Sequence, residues 1–319
     1  MTSRYVWMNG ELVPFENATV HFLTPSLHYG TGVFEGIRAY ATPDGPGVFR
    51  LREHVQRLVA SAHLLGVREL PFDEEEIVQA SLAVVAANEF AACYIRPLFF
   101  VASGGWNLTV DRCEVGLGIA AWEWAAYLGA EAREHGVRAN VSSFTRHHPN
   151  ISLTKAKIAG NYVNSVLAKT ESVRLGFEEA IMLDPFGFVA ECTGENLFLV
   201  RKGRIVTPDS ATVLEGITRD ALITVARDLG YEVAESPVSR DQLYAADEVF
   251  VCGTAAEVVG LREIDFRTIG EGRTGPVTRR IQEVFSRAVR GDDARYRHWV
   301  TLATRAALPE GWRRLREAS

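Results

Sequence analysis

The chain has 319 residues, of which 47% are hydrophobic and 23% charged, and a formal net charge of −6. This composition excludes wholesale disorder, and the acidic balance argues against a surface built for the phosphate backbone of nucleic acid. The length predicts about two domains, with a core large enough to fold without covalent staples. Cys93, Cys113, Cys192 and Cys252 form no CxxC pair and read as reduced thiols. Met1 to Trp7 shows no apolar leader, and the longest apolar stretch, Ala80–Ala87, falls far short of the roughly 20 residues of a membrane span. A cytoplasmic protein is expected.

In chain order, Tyr5–Val13 alternates apolar and polar residues around Asn9-Gly10, a hairpin signal. Val33–Tyr40 and Gly47–Leu51 read as strands joined by the turn run Thr42–Pro46. The period then changes: Leu51, Val55, Leu58, Val59 and Ala62 recur at helical spacing, and Gly66 ends the helix. Asp73 and Glu76 open a second helix, Glu74–Asn88. Tyr94–Ala102 and Glu114–Trp122 read as buried strands, which makes this half an α+β pattern. Small residues followed by charges over Ala125–His135 read as a linker, dividing the chain into 1–124, the linker 125–135, and 136–319.

Beyond it, Val137–Phe144 reads as a strand and Gly160–Leu175 as a helix closed by Gly176. Ala180–Leu183, Phe188–Ala190, Asn196–Val200 and Arg204–Val206 read as short strands. Gly216-Ile217-Thr218 opens a helix with Leu222, Ile223, Ala226 and Leu229 on its apolar face, closed by Gly230. Glu248–Cys252 reads as a buried strand and Val277–Val289 as an amphipathic helix. The basic and aromatic tail after Gly291 (Arg295, Arg297, Trp299, Trp312, Arg313, Arg314) is expected to form a surface helix or an interface.

Among motifs, there is no Walker A and no HExxH. Gly116-Leu117-Gly118 lacks the third glycine of a dinucleotide fingerprint. Adjacent His147 and His148 would point to opposite sides of a strand, so no metal site is expected. What remains is a lysine, carboxylates and glycine-rich turns. Lys157, among small and apolar residues at the mouth of a helix, reads either as a solvated lysine or as a desolvated amine available as a nucleophile. Glu191 and Glu195 flank Gly194 in an otherwise apolar run, as a surface turn or a site. Gly216-Ile217-Thr218 is an ordinary helix cap or a phosphate cradle, and Gly253-Thr254-Ala255-Ala256 after a buried strand is a second cradle. Taken together, an amine, a carboxylate and two anion-binding turns suit pyridoxal 5′-phosphate: the amine bonds the aldehyde, the carboxylate keeps the ring nitrogen protonated, and the turns hold the phosphate.

Eight segments in order carry a resemblance to a known family: His28–Arg38, Arg52–Leu58, Tyr94–Pro97, Trp124–Gly129, Lys157–Tyr162, Gly194–Phe198, Gly216–Asp220 and Gly253–Glu257. The chain resembles the branched-chain amino-acid aminotransferases of pyridoxal-phosphate fold type IV from about Tyr5 to about Val289. The resemblance implies a small N-terminal α+β domain, a larger C-terminal domain, the cofactor between them, and a homodimer or higher homo-oligomer. It implies Lys157 as Schiff-base lysine and proton shuttle, with Lys155 the rival. Glu191 would bind the ring nitrogen, and Glu195 would be structural. Arg57, Tyr162, Gly216, Ile217, Thr218 and Thr254 would hold the phosphate. Periodicity places Arg57 off the apolar helix face, as a solvated residue, so here the two readings differ. Tyr29, Phe34, Gly36, Arg38, Tyr94, Trp124 and Tyr127 would form the substrate pocket. Arg96 would bind the distal carboxylate of glutamate or 2-oxoglutarate, and Thr254-Ala255 would meet the α-carboxylate. The implied reaction moves the amino group between L-leucine, L-isoleucine or L-valine and 2-oxoglutarate. Within the same fold, a D-amino-acid or (R)-amine transaminase, an aminodeoxychorismate lyase or a specialised biosynthetic aminotransferase are the alternatives, and a non-catalytic cofactor-binding protein is more remote. The loop Ser103–Leu108, with Trp106, departs from the Gly-Val-Asn-Pro-like loop of that family. Cys192 and Thr193 replace smaller residues, and Thr145–Asn150 is more basic.

Overall fold

A computed structural model describes residues 3–124, 128–129, 131–209 and 212–310. The chain divides into two compact units, Met1–Trp124 with Ala156–Gly160 and Arg287–Ser319, and Ala125–Lys155 with Asn161–Ser286. The first unit thus takes in two segments that a linear division at 125–135 assigns to the second.

The first unit is built on β1 (Tyr5–Met8), β2 (Glu11–Pro14), α1 (Pro25–Tyr29), β3 (Gly32–Phe34), β4 (Ile37–Thr42), β5 (Gly45–Phe49), α2 (Leu51–Leu65), α3 (Glu74–Asn88), β6 (Cys93–Ser103) and β7 (Glu114–Trp122). Asn9 and Gly10 have φ of 49° and 107°, the left-handed pair that a tight β1–β2 turn requires. In α3 the Asp73 carboxylate accepts from the Glu76 N–H and the Glu76 carboxylate from the Asp73 N–H, both at 2.8 Å, closing a reciprocal cap. The sheet runs β5, β4, β6, β7, β1, β2, with β3 on β6, and its pairings are antiparallel. Alternation sorts its two faces. Ile37, Ile95, Phe99, Leu117 and Ile119 join Leu51, Val55 and Leu58 of α2 and Ile77 and Val84 of α3 in one core. Residues of the other parity on β6, including Tyr94 and Arg96, are left for the opposite face.

Two departures from the sequence reading have physical reasons. The strand expected over Val33–Tyr40 breaks at Glu35-Gly36. There the Glu35 N–H bonds the Pro97 carbonyl at 2.9 Å, while the Phe34 N–H bonds the Lys157 carbonyl at 3.1 Å. The described part of the tail, to residue 310, is not a surface helix. Ala294–Trp299 forms a 3-10 turn, and Val300–Leu302 adds an antiparallel strand to β5, with Tyr296 and Trp299 buried and their rings stacked at 4.5 Å. Trp312, Arg313 and Arg314 lie outside the described residues.

The second unit begins with the short helix α4 (Ala132–His135). There follow β8 (Val137–Val141), α5 (Tyr162–Arg174), β9 (Glu179–Leu183), β10 (Val189–Cys192), β11 (Asn196–Arg201) and β12 (Arg204–Thr207). Next come α6 (Ile217–Asp228), β13 (Val233–Glu235), α7 (Arg240–Tyr244), β14 (Glu248–Gly253), β15 (Glu257–Ile264), β16 (Arg267–Thr268) and α8 (Pro276–Val289). The sheet order is β10-β9-β8-β15-β14-β11-β12-β13, with β16 on β15. It is mixed: β8 runs parallel to both β9 and β15, and β12 parallel to β13. Its core gathers Ile181, Val189, Leu197, Leu199, Val249, Val251, Val259 and Leu261. At the head of α8 the buried Glu248 carboxylate accepts the N–H groups of Val277 and Thr278 at 2.9 and 2.8 Å, placing negative charge on a helix N-terminus. Among the described residues no helix is long and apolar enough to cross a membrane, and no cluster of three metal-ligating side chains occurs.

Asn88, at the end of α3, ties down the first strand. Its Oδ1 accepts the N–H groups of Arg4 at 2.6 Å and Tyr5 at 3.0 Å, and its Nδ2 donates to the carbonyls of Tyr5 and Val84 at 2.9 and 2.8 Å. Asn88→Ala removes these bonds and should cost about 2 kcal/mol, read as a lower midpoint in denaturant unfolding.

Candidate active site

In the first unit, Lys157 is held through its backbone. Its N–H donates to Ser61 Oγ of α2 at 3.0 Å, its carbonyl accepts from Phe34, and the next residue, Ile158, forms an isolated antiparallel bridge with Val33. The chain leaves this position by a close pass in which the Gly160 N–H bonds the Gly30 carbonyl at 3.1 Å. A Cβ on Gly30 would stand 2.8 Å from Gly160 Cα, and its φ of 66° is left-handed, so both geometry and contact call for glycine. The Lys157 ammonium lies 5.2 Å from the centre of the Phe34 ring.

Around it the first sheet brings together an aromatic wall with one cation in it. The Arg96 guanidinium lies 4.5 Å from the Phe34 ring centre and 5.8 Å from that of Trp122, and its Nη2 donates to Tyr94 Oη at 3.0 Å. Trp124 meets Tyr94 edge-on at 4.6 Å. Arg38 is the ladder partner of Tyr94 and packs its guanidinium over Tyr40 at 5.3 Å. Gly36 is obligatory, since a Cβ there would sit 2.0 Å from Tyr94 Oη. Tyr29 stands apart at the end of α1, 42% exposed, where its ring meets Trp106 at 5.8 Å. Tyr127 falls outside the described residues. Beyond Arg96 the same face carries an apolar cavity of about 320 Å³, lined among others by Met8, Leu27, Leu98, Phe100 and Gly118.

Arg57 corrects the solvated reading: its side chain is 14% exposed and is bound to Glu35 through Nε at 2.6 Å and Nη2 at 2.9 Å. Glu35 is fully buried and also accepts from His54 Nδ1 at 2.8 Å. Burial alone would raise the Glu35 carboxyl, but the charge of Arg57 and the His54 hydrogen bond hold it well below the carboxylate range. Burial pushes the His54 imidazole down. Sequence reasoning assigned neither Glu35 nor His54 a role. Their signal was the spacing of His54, Arg57 and Ser61, three and four residues apart along one helix.

In the second unit, Glu191 on β10 is buried. One carboxylate oxygen meets the Arg146 guanidinium, and the other accepts from the Leu214 N–H at 3.2 Å and lies 3.5 Å from Asn196 Nδ2. Arg146, from the basic loop, also reaches Ser165 Oγ at 3.1 Å. Lys155, the rival lysine, is committed elsewhere: its Nζ donates to the Val213 carbonyl at 2.9 Å and lies 3.7 Å from Glu215, and burial lowers its pKa. Helix α6 starts at Gly216 with no side-chain cap, while Ile217 and Thr218 are buried at its first turn. Tyr162 opens α5, and Thr254 and Ala255 follow β14, half-buried. Glu195 is buried near Glu179, which is itself held by Lys169 Nζ at 2.5 Å and Thr193 Oγ1 at 2.6 Å. Burial pushes the Glu195 carboxyl up to about 8, with the Glu179 charge adding to the rise.

The amino-transferase class IV family pattern matches residues 32–264, and the chain belongs to that family. Its relatives narrow the class. A branched-chain-amino-acid aminotransferase of Pseudomonas aeruginosa is 47% identical over 297 residues, covering 93% of this chain and 96% of the relative. That of Escherichia coli K12 is 48% identical over 285 residues, covering 88% and 91%. The crystal structure of another branched-chain amino acid aminotransferase, that of T.th., with pyridoxamine 5′-phosphate superposes with a TM-score of 0.92 at 49% identity, covering 95% of this chain and 100% of that one. The α+β fold is therefore that of the fold type IV aminotransferases, a class that uses pyridoxal 5′-phosphate.

The residues present fit that cofactor. An uncapped helix N-terminus leaves first-turn N–H groups for an anion. A Cβ on Gly216 would meet Asn196 Oδ1 at 1.9 Å, so only glycine allows this approach. Glu191 supplies a buried carboxylate and Lys157 an amine.

The Glu195 carboxyl rises from its ordinary 4.5 to about 8. The folded state therefore holds a proton across that window that the unfolded chain has lost, and this group's contribution to stability declines as pH rises from about 4.5 to about 8. Glu195→Gln removes that decline. Melting temperatures should show the variant gaining on the parent as pH is raised through the window; a constant difference between the two would contradict the assignment.

Proposed function

We propose that the protein is a branched-chain-amino-acid aminotransferase that moves the amino group between L-leucine, L-isoleucine or L-valine and 2-oxoglutarate. The observation that carries this reading is the wall of Phe34, Tyr94, Trp122 and Trp124 with the Arg96 guanidinium set into it. An apolar surface accepts a branched side chain, and the guanidinium accepts the distal carboxylate of glutamate or 2-oxoglutarate. In support, the T.th. enzyme has been solved with N-(5′-phosphopyridoxyl)-L-glutamate and with 4-methylvaleric acid, structures that match this chain at 48% and 47% identity.

When bound, pyridoxal 5′-phosphate supplies an aldehyde carbon and an electron-withdrawing ring that stabilises charge at the substrate α-carbon. In this reading Lys157 would hold the cofactor through its Nζ amine and would serve as the base that moves the substrate α-proton. Glu191 would supply the carboxylate that favours the protonated form of the ring nitrogen. Arg57, Tyr162, Gly216, Ile217, Thr218 and Thr254 hold the phosphate, through the helix N-terminus and hydroxyl donors. The backbone of Thr254-Ala255 receives the α-carboxylate. Gly36 and Arg38 belong to the same substrate pocket, to which the family resemblance also assigns Tyr29 and Tyr127. Lys157→Ala should abolish turnover, and Lys155→Ala should keep most of it; the reverse pattern would overturn the lysine assignment. In the parent, L-leucine and L-glutamate should each bleach the visible band of the lysine-bound cofactor, and D-alanine should not. Bleaching by L-glutamate alone would remove the branched-chain assignment.

The protein is read as a cytoplasmic homodimer. What supports a dimer is the apolar stripe on α5, where Val163, Val166, Leu167 and Val173 are 62, 61, 46 and 57% exposed. Light scattering should give twice the chain mass, and Val166→Glu with Leu167→Asp should shift the mass toward one chain. A monomeric, fully active parent would overturn this reading.

A further inference from the structure

The Glu35 carboxylate is the most enclosed charge among the described residues of the first unit, and the proposed roles leave it without a function. It sits in the two-residue break between β3 and β4, flanked by Phe34 and Gly36, and its backbone is pinned by the N–H bond to Pro97 at 2.9 Å. Its Oε1 takes Arg57 Nε at 2.6 Å, and its Oε2 takes Arg57 Nη2 at 2.9 Å, a two-pronged pairing that fixes the plane of the guanidinium as well as its position. Oε2 also takes His54 Nδ1 at 2.8 Å and lies 3.2 Å from the Gly36 N–H. The carboxylate is an acceptor only, so Nδ1 is the donating nitrogen. His54 Nε2 is buried without a hydrogen-bond partner.

An ion pair this enclosed is a costly way to gain stability, because desolvation consumes most of its attraction. Its geometry offers orientation instead. Helix α2 bears His54, Arg57 and Ser61 one turn after another, and Ser61 Oγ receives the Lys157 N–H. One helix therefore carries both the seat of the lysine and the arginine, and one carboxylate links that helix to the Phe34–Gly36 strand break.

We propose that Glu35, braced by His54, is a positioning residue that holds the Arg57 guanidinium in the orientation that grips the cofactor phosphate. The proposal rests on the assignment of Arg57 to that phosphate. Without Glu35 the guanidinium keeps its charge and loses its fixed plane.

The test is the release rate of pyridoxamine 5′-phosphate from the loaded enzyme, since this form has no bond to Lys157 and reports the phosphate grip directly. Glu35→Gln should speed release about tenfold or more, the worth of a charge-assisted pair. Arg57→Met should do the same, and the double variant should be no faster than Arg57→Met alone. Release at the parent rate in Glu35→Gln overturns the proposal. So does a further full tenfold gain when Glu35→Gln is added to Arg57→Met, because Glu35 would then act on something other than Arg57. Parent-like release in Arg57→Met alone fails the underlying phosphate assignment, and the proposal with it, and is recognised without reference to Glu35. If circular dichroism shows Glu35→Gln unfolded, His54 decides. His54→Ala should speed release several-fold and His54→Asn, which keeps a donor near the Nδ1 position, should restore it; an unchanged rate in His54→Ala, or no rescue by His54→Asn, overturns the brace.

Discussion

The anchoring of the Lys157 backbone is the constraint on which this part of the first unit depends. A lysine side chain is long and flexible, so where its amine can reach is defined only if its backbone is fixed. Here the residue's N–H goes to Ser61, its carbonyl receives Phe34, and its neighbour Ile158 bridges Val33. The five residues Ala156–Gly160 therefore belong to the first unit, although the chain on both sides of them belongs to the second. The glycine pair Gly30 and Gly160 is what admits the segment, since any side chain at Gly30 would collide with the passing backbone.

From that constraint the use of the sheet follows. One parity of β6 is spent on the core beneath α2 and α3, and the other carries Tyr94 and Arg96. An open face beside the core gives these side chains rigid roots, which a loop would not. The same economy governs α2, whose Leu51, Val55 and Leu58 are buried in the core while His54, Arg57 and Ser61 serve charge and hydrogen bonding.

Much of this was legible in the sequence because its signals are local. Helices α2 and α3 and the Asn9-Gly10 turn follow from periodicity, a capping pair and left-handed backbone. Lys157, Glu191 and the Gly216 turn read as polar or flexible residues in apolar surroundings, each with an ordinary structural reading beside the functional one that the family resemblance implies. What was not legible is long-range. Arg57 looked solvated because helical periodicity sees only the apolar face, and its partner Glu35 is 22 residues away. Arg146 looked like one more charge in a basic loop, yet it closes on Glu191 across 45 residues. Strand β15 went unread because Gly260, Arg262 and Glu263 break its apolar pattern; Gly260 is there because a Cβ would stand 2.9 Å from Thr274 Oγ1. The tail strand Val300–Leu302 is short, and its partner β5 lies at the other end of the chain.

Gly36 shows how a residue with no side chain sets the placement of its neighbours. The space a Cβ would need is filled by the Tyr94 hydroxyl, at 2.0 Å. That hydroxyl accepts from Arg96 Nη2 at 3.0 Å, and Arg96 Nε is buried with no hydrogen-bond partner. On the reading proposed above, an arginine that serves a carboxylate in one half of the reaction and stands aside for an apolar side chain in the other would be ill served by a fixed acid, which would outcompete the substrate. A phenol and aromatic faces restrain it without cancelling its charge. The glycine makes room for the phenol, the phenol orients the guanidinium, and the guanidinium stays available to an anion.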